Sequence, residues 1–159
     1  MGYRSDVVIA VAMGSEKDMR ELMSVYALNM YVQKENLIPE WSIGTYEDAW
    51  VAMYTAEHVK WYRSYDDVKG FEALPKLAET FWEKRNMPYA YRFIRIGEEY
   101  EDIQISCNES DYGEHDDDVQ GSRLSDTLAD ALTVSRDISN EINFANDNVS
   151  DSLTQEGTD

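Results

Sequence analysis

The sequence predicts an α+β protein: a two-layer sandwich in which an antiparallel or mixed sheet of four to five strands carries two helices on one face. Short apolar runs alternate with two longer stretches of helical period, and residues 91–107 have the pattern of a β-hairpin. Apolar residues make up 43% of the chain, which is enough for a core. The order strand, helix, strand, helix, hairpin is that of a ferredoxin-like fold or a relative of it.

The first strand and helix are predicted from residues 7–35. Residues 7–13 are apolar at every position, which is typical of a central strand covered on both faces. Gly14 ends the strand, and the Ser15 hydroxyl is suited to cap a helix that runs to about residue 35. Residues three and four apart give this helix one apolar stripe: Met19, Leu22, Met23, Tyr26, Met30 and Tyr31.

The middle of the chain predicts a connection, a second strand and a second helix. Residues 37–48 have no sustained period and are predicted to be a loop, with a short edge strand at 41–43 as the alternative. Residues 50–55 predict the second strand, which either continues through 58–62 or turns at its end. A helical period begins at residue 64, and Pro75 is expected to kink or split that helix.

The hairpin joins residues 91–96 to residues 100–107 through a turn at 97–99. Ile94 and Ile96 are expected to face Ile103 and Ile105, with Ile94 and Ile105 buried. Gly97 is expected to supply an unusual turn dihedral. The strand-borne bases Arg4, Arg92 and Arg95 are expected to pair with carboxylates of the hairpin: Glu98, Glu101 or Asp102.

Apolar content falls after the hairpin. Residues 108–130 predict a solvated acidic loop, with a helical turn at 124–128. Residues 131–138 alternate and predict a further strand, and residues 145–159 predict a polar tail. The chain is therefore predicted to hold one α+β domain over residues 1–144.

The charge is distributed very unevenly. Residues 1–97 carry 12 Lys and Arg against 14 Asp and Glu, whereas residues 98–159 carry 2 against 18. An acidic surface repels nucleic acid and anionic lipid and attracts basic surfaces, so a basic protein is the expected partner. No run reaches the ~18 apolar residues of a membrane span. Neither a direct nucleic-acid contact nor a membrane is expected.

No catalytic, cofactor or metal site is predicted. A Cys/His pair would have to combine Cys107 with His58 or His115. Reading a calcium loop from residue 108 places Tyr112 at a ligand position and Val119 where the closing Glu belongs. The chain is therefore predicted not to be an enzyme.

Two groups of residues are candidate interaction surfaces. The acidic group is either a solvated surface or one that imitates the charge of DNA, which is about one charge per 1.7 Å of duplex axis. The aromatic-basic group either packs structurally or stacks on a ligand. The acidic group is Asp111, Glu114, Asp116, Asp117, Asp118, Asp126 and Asp130, and the second is Lys60, Trp61, Tyr62 and Arg63.

Three stretches carry a family resemblance. They are the opening Met-Gly-Tyr-Arg-Ser-Asp-Val, the pair Val-Lys-Trp-Tyr (59–62) and Tyr-Asp-Asp-Val (65–68), and Phe-Ile-Arg-Ile-Gly-Glu-Glu (93–99) followed by Asp102-Ile103. In these the chain resembles a group of small, mostly uncharacterised bacteriophage and prophage proteins. The resemblance implies a phage origin. The single cysteine, Cys107, suits a reducing compartment, so the host cytoplasm is the expected location.

With the charge asymmetry, this origin predicts a non-enzymatic accessory protein that binds a basic host protein. The acidic surface would act as a nucleic-acid mimic against a host defence or transcription factor. The alternative is a structural or assembly role in the virion.

Replacing residues 109–120 with a short Gly/Ser linker is expected to shift the thermal midpoint by only a few degrees. Tyr112 and Val119 are the large apolar side chains of this segment, too few to offset roughly 1–2 kcal/mol of backbone ordering per residue. Thermal unfolding followed by circular dichroism measures the shift. Loss of cooperative unfolding in the linker variant would contradict the solvated-loop interpretation.

Overall fold

The computed structural model describes residues 2–47, 49–99 and 101–107. The predicted acidic loop, its helical turn, the strand at 131–138, the polar tail and the domain boundary at 144 lie outside the described residues. Within the described helices none is long and apolar enough to cross a membrane.

The sheet has five antiparallel strands, which confirms the predicted α+β sandwich. Its spatial order is β2-β3-β1-β4-β5. The first four positions have the order of a ferredoxin-like sheet, and β5 extends it at one edge. The elements are β1 (Ser5–Met13), α1 (Glu16–Tyr26), α2 (Met30–Glu35), a 3₁₀ turn (Ile38–Glu40), β2 (Ser42–Tyr46), β3 (Ala49–Val59), α3 (Asp66–Arg85), β4 (Tyr89–Gly97) and β5 (Ile103–Cys107).

The central strand β1 separates two apolar layers. It pairs with β3 on one side and β4 on the other, with Ile9 level with Tyr54 and Phe93. Its odd-numbered residues from Val7 to Met13 pack against buried side chains of α1, α2 and α3. Its even-numbered residues Val8, Ala10 and Ala12 form a separate buried cluster on the opposite face. This agrees with the prediction of a strand covered on both sides.

The predicted first helix is wrong in one respect, because two helices occupy its span. The Asn29 side chain caps α2 by accepting hydrogen bonds from the backbone N–H groups of Tyr31 (2.9 Å) and Val32 (3.3 Å). Such a cap needs extended backbone at Asn29, and this interrupts the helix. Met30 is consequently 67% exposed rather than part of the apolar stripe.

The connection before β3 contains the edge strand β2, so the loop prediction for residues 42–46 is wrong. Each β2 residue pairs with β3, from Ser42 opposite Met53 to Tyr46 opposite Ala49. Strand β3 ends at Val59 after a bulge at which His58 has a φ of 57°. The Asp6 carboxylate accepts a hydrogen bond from the His58 N–H at 2.9 Å and holds this bulge.

Helix α3 runs from Asp66 to Arg85 without interruption, although it contains Pro75. The predicted split is therefore wrong. Phe71 and Leu74 before the proline and Ala78 after it are all buried, so packing against the sheet holds both halves. The Tyr26 hydroxyl also donates to the Gly70 carbonyl at 2.8 Å.

The hairpin has the predicted register, with Ile94 opposite Ile105 and Ile96 opposite Ile103. The role predicted for Gly97 is wrong, since its φ is not positive. Gly97 is needed because a Cβ there would collide with the Asp102 carboxylate and the Tyr3 hydroxyl. The expected burial of Ile105 is also wrong, because β5 is an edge strand and Ile105 is 46% exposed.

Ile94→Asp is expected to abolish cooperative folding, whereas Ile105→Asp is expected to cost less than about 1 kcal/mol. The two residues form one cross-strand pair, but Ile94 is 0% exposed. Only the first substitution buries an unpaired charge. Urea unfolding of both variants provides the comparison, and equal destabilisation would contradict the stated burial.

Candidate functional site

A cleft of about 470 Å³ lies between α3 and the β4–β5 edge, on the helical face of the sheet. It follows from the fold, because α3 packs on β1 and β4 while β5 extends the sheet beyond it. A helix is roughly 10–12 Å wide and strands are spaced by about 4.8 Å, so the helices do not reach the fifth strand. The volume is within the usual range of ligand pockets.

The floor of the cleft is apolar and largely aromatic. Ile9 of β1 and Tyr91 and Phe93 of β4 point into it, because they lie on the helical face of the sheet. Trp61 forms one wall, edge-on to Phe93 with ring centroids 6.1 Å apart and stacked at 5.9 Å on Phe71. These contacts fix the indole and leave it half-buried beside the opening.

The rim carries charges of both signs. Residues of α3 spaced by three and four positions line one side: Glu72, Pro75, Lys76 and Glu79. Arg63 adds a second exposed cation, and Gln104 and Ser106 of β5 form the opposite side. An apolar floor under such a rim can hold a flat or aliphatic group while hydrogen-bonding its polar end.

One end of the cleft is closed by an ion pair that we call the hairpin lock, between Arg95 and Asp102. The guanidinium donates two hydrogen bonds to the carboxylate, at 2.7 and 3.1 Å. It also donates to Ser5 Oγ at 3.0 Å and Gln104 Oε1 at 3.3 Å. The prediction of a cross-hairpin ion pair is confirmed for Arg95. Its partners hold the guanidinium against the strands, so its N–H groups serve the fold and not a ligand.

The N-terminal residues are tied to the hairpin lock. The Tyr3 hydroxyl donates to the Asp102 carboxylate at 2.6 Å and accepts from the Glu99 N–H at 3.2 Å. The Tyr3 N–H donates to the Tyr62 hydroxyl at 2.7 Å, and the Arg4 N–H donates to Glu98 at 2.9 Å. Three distant stretches of sequence therefore meet at this end of the sheet.

The predicted aromatic-basic group divides between two places. Trp61 and Arg63 line the cleft, whereas Lys60 and Tyr62 lie beside Gly2 near the N-terminus. The acidic candidates lie outside the described residues: Asp111, Glu114, Asp116, Asp117, Asp118, Asp126 and Asp130.

The sequence predicts that Lys60 and Arg63 pair with Asp66, Asp67 or the acidic half of the chain. The first two partners are wrong, and the acidic half from residue 108 lies outside the described residues. Asp66 instead accepts a hydrogen bond from Lys34 Nζ at 2.5 Å, and Asp67 accepts one from the Val68 N–H at 2.8 Å. The bond to Lys34 lowers the pKa of Asp66 and raises that of Lys34. Arg63 is left exposed at the cleft.

Several cleft residues were not predicted from the sequence. The signal at α3 is a polar stripe, in which Glu72, Lys76 and Glu79 recur at helical spacing around Pro75. At the hairpin, the signal is that side chains alternate between the two faces of the sheet. Gln104 lies opposite Arg95 and Ser106 lies opposite Phe93, so all four share the face of the cleft. Neither signal identifies a cleft until the position of α3 over the sheet is known.

Tyr91 supplies a phenol to the floor of the cleft. Burial raises the pKa of Tyr91, with Cys107 and Glu79 adding to the effect, so its phenol remains a neutral donor at neutral pH. Cys107 is level with Ala10 of β1 and His58 is near Ser5, about five residues or roughly 16 Å along the sheet. This pair therefore cannot act together. Among the described residues no three His, Cys, Asp or Glu side chains group as metal ligands.

No protein-family model, curated protein or solved structure matches the chain. The resemblance to phage proteins therefore remains a prediction, and function is inferred from geometry and charge.

Asp102→Asn is expected to lower the free energy of unfolding by about 2 kcal/mol, because it leaves the Arg95 charge, 18% exposed, without its ionic partner. Glu101→Gln, at the exposed neighbouring position, is the matched control and is expected to change it by less than about 0.5 kcal/mol. Urea unfolding at low and high salt measures both. Equal effects would show that the hairpin lock contributes no net stability.

Proposed function

We propose that the protein is a phage-encoded, non-enzymatic accessory protein that binds a basic surface of a host protein. One observation carries the proposal, the location of the negative charge. Residues 1–107 hold 12 Lys and Arg against 18 Asp and Glu, and residues 108–159 hold 2 against 14. Most of the net negative charge thus lies in one continuous stretch of sequence that comes after the last described strand, β5. Such a field accelerates association with a basic surface.

Four of the 12 Lys and Arg in residues 1–107 are ion-paired within the described domain. Four ion pairs are formed between side chains, and each joins a cation to a carboxylate of the same domain. They are Arg20–Glu16, Lys34–Asp66, Arg85–Glu21 and Arg95–Asp102. The carboxylates after residue 107 have only Arg123 and Arg136 as cations in their own part of the sequence. They are accordingly the groups best suited to an external basic partner.

A protein partner fits this charge better than nucleic acid or an anionic membrane, which a net charge of −18 repels. Host proteins that bind nucleic acid present rows of Lys and Arg to phosphates. A carboxylate-rich stretch competes for those same cations. This supports a nucleic-acid mimic that inhibits a host defence or transcription factor.

The cleft supplies a place for one specific contact in such a complex. Side chains that anchor protein interfaces fill pockets with aromatic walls, and Arg is prominent among them. The half-buried Trp61 ring at the wall can contact a guanidinium, and Glu72 and Glu79 on α3 offer acceptors at the same rim. We assign long-range attraction to the acidic stretch and this short-range contact to the cleft.

Neutralising the carboxylates of the acidic stretch is expected to abolish recovery of the partner. The variant carries Asn at Asp111, Asp116, Asp117 and Asp118 and Gln at Glu114. The control removes five charges from exposed Glu residues of the domain by substitution with Gln: Glu35, Glu40, Glu47, Glu57 and Glu83. Pull-downs from host lysate at about 50 and 500 mM salt measure recovery, which should fall steeply with salt for the unmodified chain and the control alike.

Equal loss of partner recovery in both variants would mean that binding depends on the net charge of the protein and not on a defined acidic surface. Failure to recover any partner at low salt would contradict the proposal. Mass spectrometry of purified particles tests the other candidate function, and stoichiometric copies in the virion would establish a structural or assembly role instead.

A further inference from the structure

The sheet has a second buried face that the described helices do not cover. Val8, Ala10 and Ala12 of β1 lie at its centre and are each 0% exposed. Neighbours on β3 and β4 complete one apolar cluster: Ala49, Val51, Met53, Ala90, Ile94 and Ile96. Since α1, α2 and α3 all pack on the other face, no helix within residues 2–47, 49–99 and 101–107 buries this cluster. Its burial within one chain requires residues beyond Cys107.

We propose that residues 124–142 dock on this face as one amphipathic helix and form a third layer, in place of the helical turn at 124–128 and the strand at 131–138 that local alternation predicts. Their apolar side chains recur at the three- and four-residue spacings of one helical stripe. The stripe contains Leu124, Leu128, Ala131, Leu132, Ile138 and Ile142, with Ser135 as its one polar member and Val134 outside it. The four carboxylates of the same stretch fall on the opposite side of that helix: Asp126, Asp130, Asp137 and Glu141.

The dimensions of the stretch and the face agree. A helix over residues 124–142 would be about 28 Å long, and the nine residues of β1 extend about 30 Å. The linker from Cys107 to Leu124 can extend roughly 55 Å, whereas β5 and β3 are about 14 Å apart across the sheet. The alanines on the face add little height above the strands, so a helix can pack closely on them.

The number of strands that are buried on the second face gives the width of the element that covers it. Ile103 and Ile105 of β5 belong to the same face but are 38% and 46% exposed. Burial therefore spans β3, β1 and β4 and stops before β5. Three strands are roughly 10 Å across, which is the width of one helix.

The second face also contains one polar group that the described residues leave without a partner. Arg92 lies on the second face beside Ala10, and its Nε is buried without a hydrogen-bond partner among the described residues. The inward side of the proposed helix carries one hydroxyl, that of Ser135, which brings an acceptor to this face. Docking would also hold the outward carboxylates on a rigid element, as a surface that imitates DNA requires. The docking itself does not depend on the proposed function.

The test compares Leu128→Asp and Leu132→Asp in the full chain with Leu153→Asp, the same change outside the stretch. Each of the first two is expected to lower the thermal midpoint by more than about 10 °C, because a charge would be placed against the alanines of β1. Leu153→Asp is expected to lower it by less than about 2 °C. Equal midpoints for all three variants would overturn the proposal.

A second measurement on the unmodified chain applies even if those variants fail to fold. Nuclear Overhauser effects are expected between the methyl groups of Leu128 or Leu132 and those of Ala10 or Ala12. A mixture of labelled and unlabelled chains separates contacts within one chain from contacts between copies. The absence of these effects, or their appearance only between copies, would overturn the proposal, the latter by showing that a second copy covers the face.

Discussion

The central strand β1 is apolar on both faces, because Val7, Ile9 and Val11 alternate with Val8 and Ala10. A strand of this composition is stable only if each face of the sheet is removed from water. The helices provide one layer, which buries the odd-numbered side chains. The even-numbered side chains are buried equally well on the opposite face, which the described helices do not cover.

The candidate site arises because the sheet is wider than the helical layer that covers one of its faces. A ferredoxin-like sheet has four strands, and its helices are wide enough to cover them. Adding β5 extends the sheet without extending the helical layer, so the side chains between α3 and the edge remain accessible. The hairpin lock fixes β5 in this position, since Arg95 and Asp102 hold the two strands together beside the turn. The extra strand therefore both creates the cleft and supplies one side of it.

The sequence was sufficient for features that depend on local alternation. The pairing of Ile94 with Ile105 follows from a period-two pattern, and the double-sided burial of β1 follows from a run that is apolar at every position. Both are confirmed. Two of the errors occur where a local contact decides the structure against the pattern. Asn29 interrupts a continuous helical stripe by capping α2, and Gly97 is required by the atoms around it rather than by its own dihedral angles. Such effects depend on tertiary neighbours that a pattern does not show.

The same reasoning explains why only part of the candidate site was predicted. Trp61 and Arg63 stand out in the sequence because aromatic and basic residues are adjacent there, but Glu72 and Glu79 resemble any exposed helical face. What makes them a site is the uncovered edge of the sheet, which is a property of topology. The acidic stretch is the opposite case, because its composition is clear from the sequence. How well its carboxylates bind a partner depends on the structure that positions them. If residues 124–142 dock on the second face of the sheet, the apolar side of that stretch is buried and stabilises the fold, and its carboxylates face outward. A chain that needed only solubility would not require a buried face to position them.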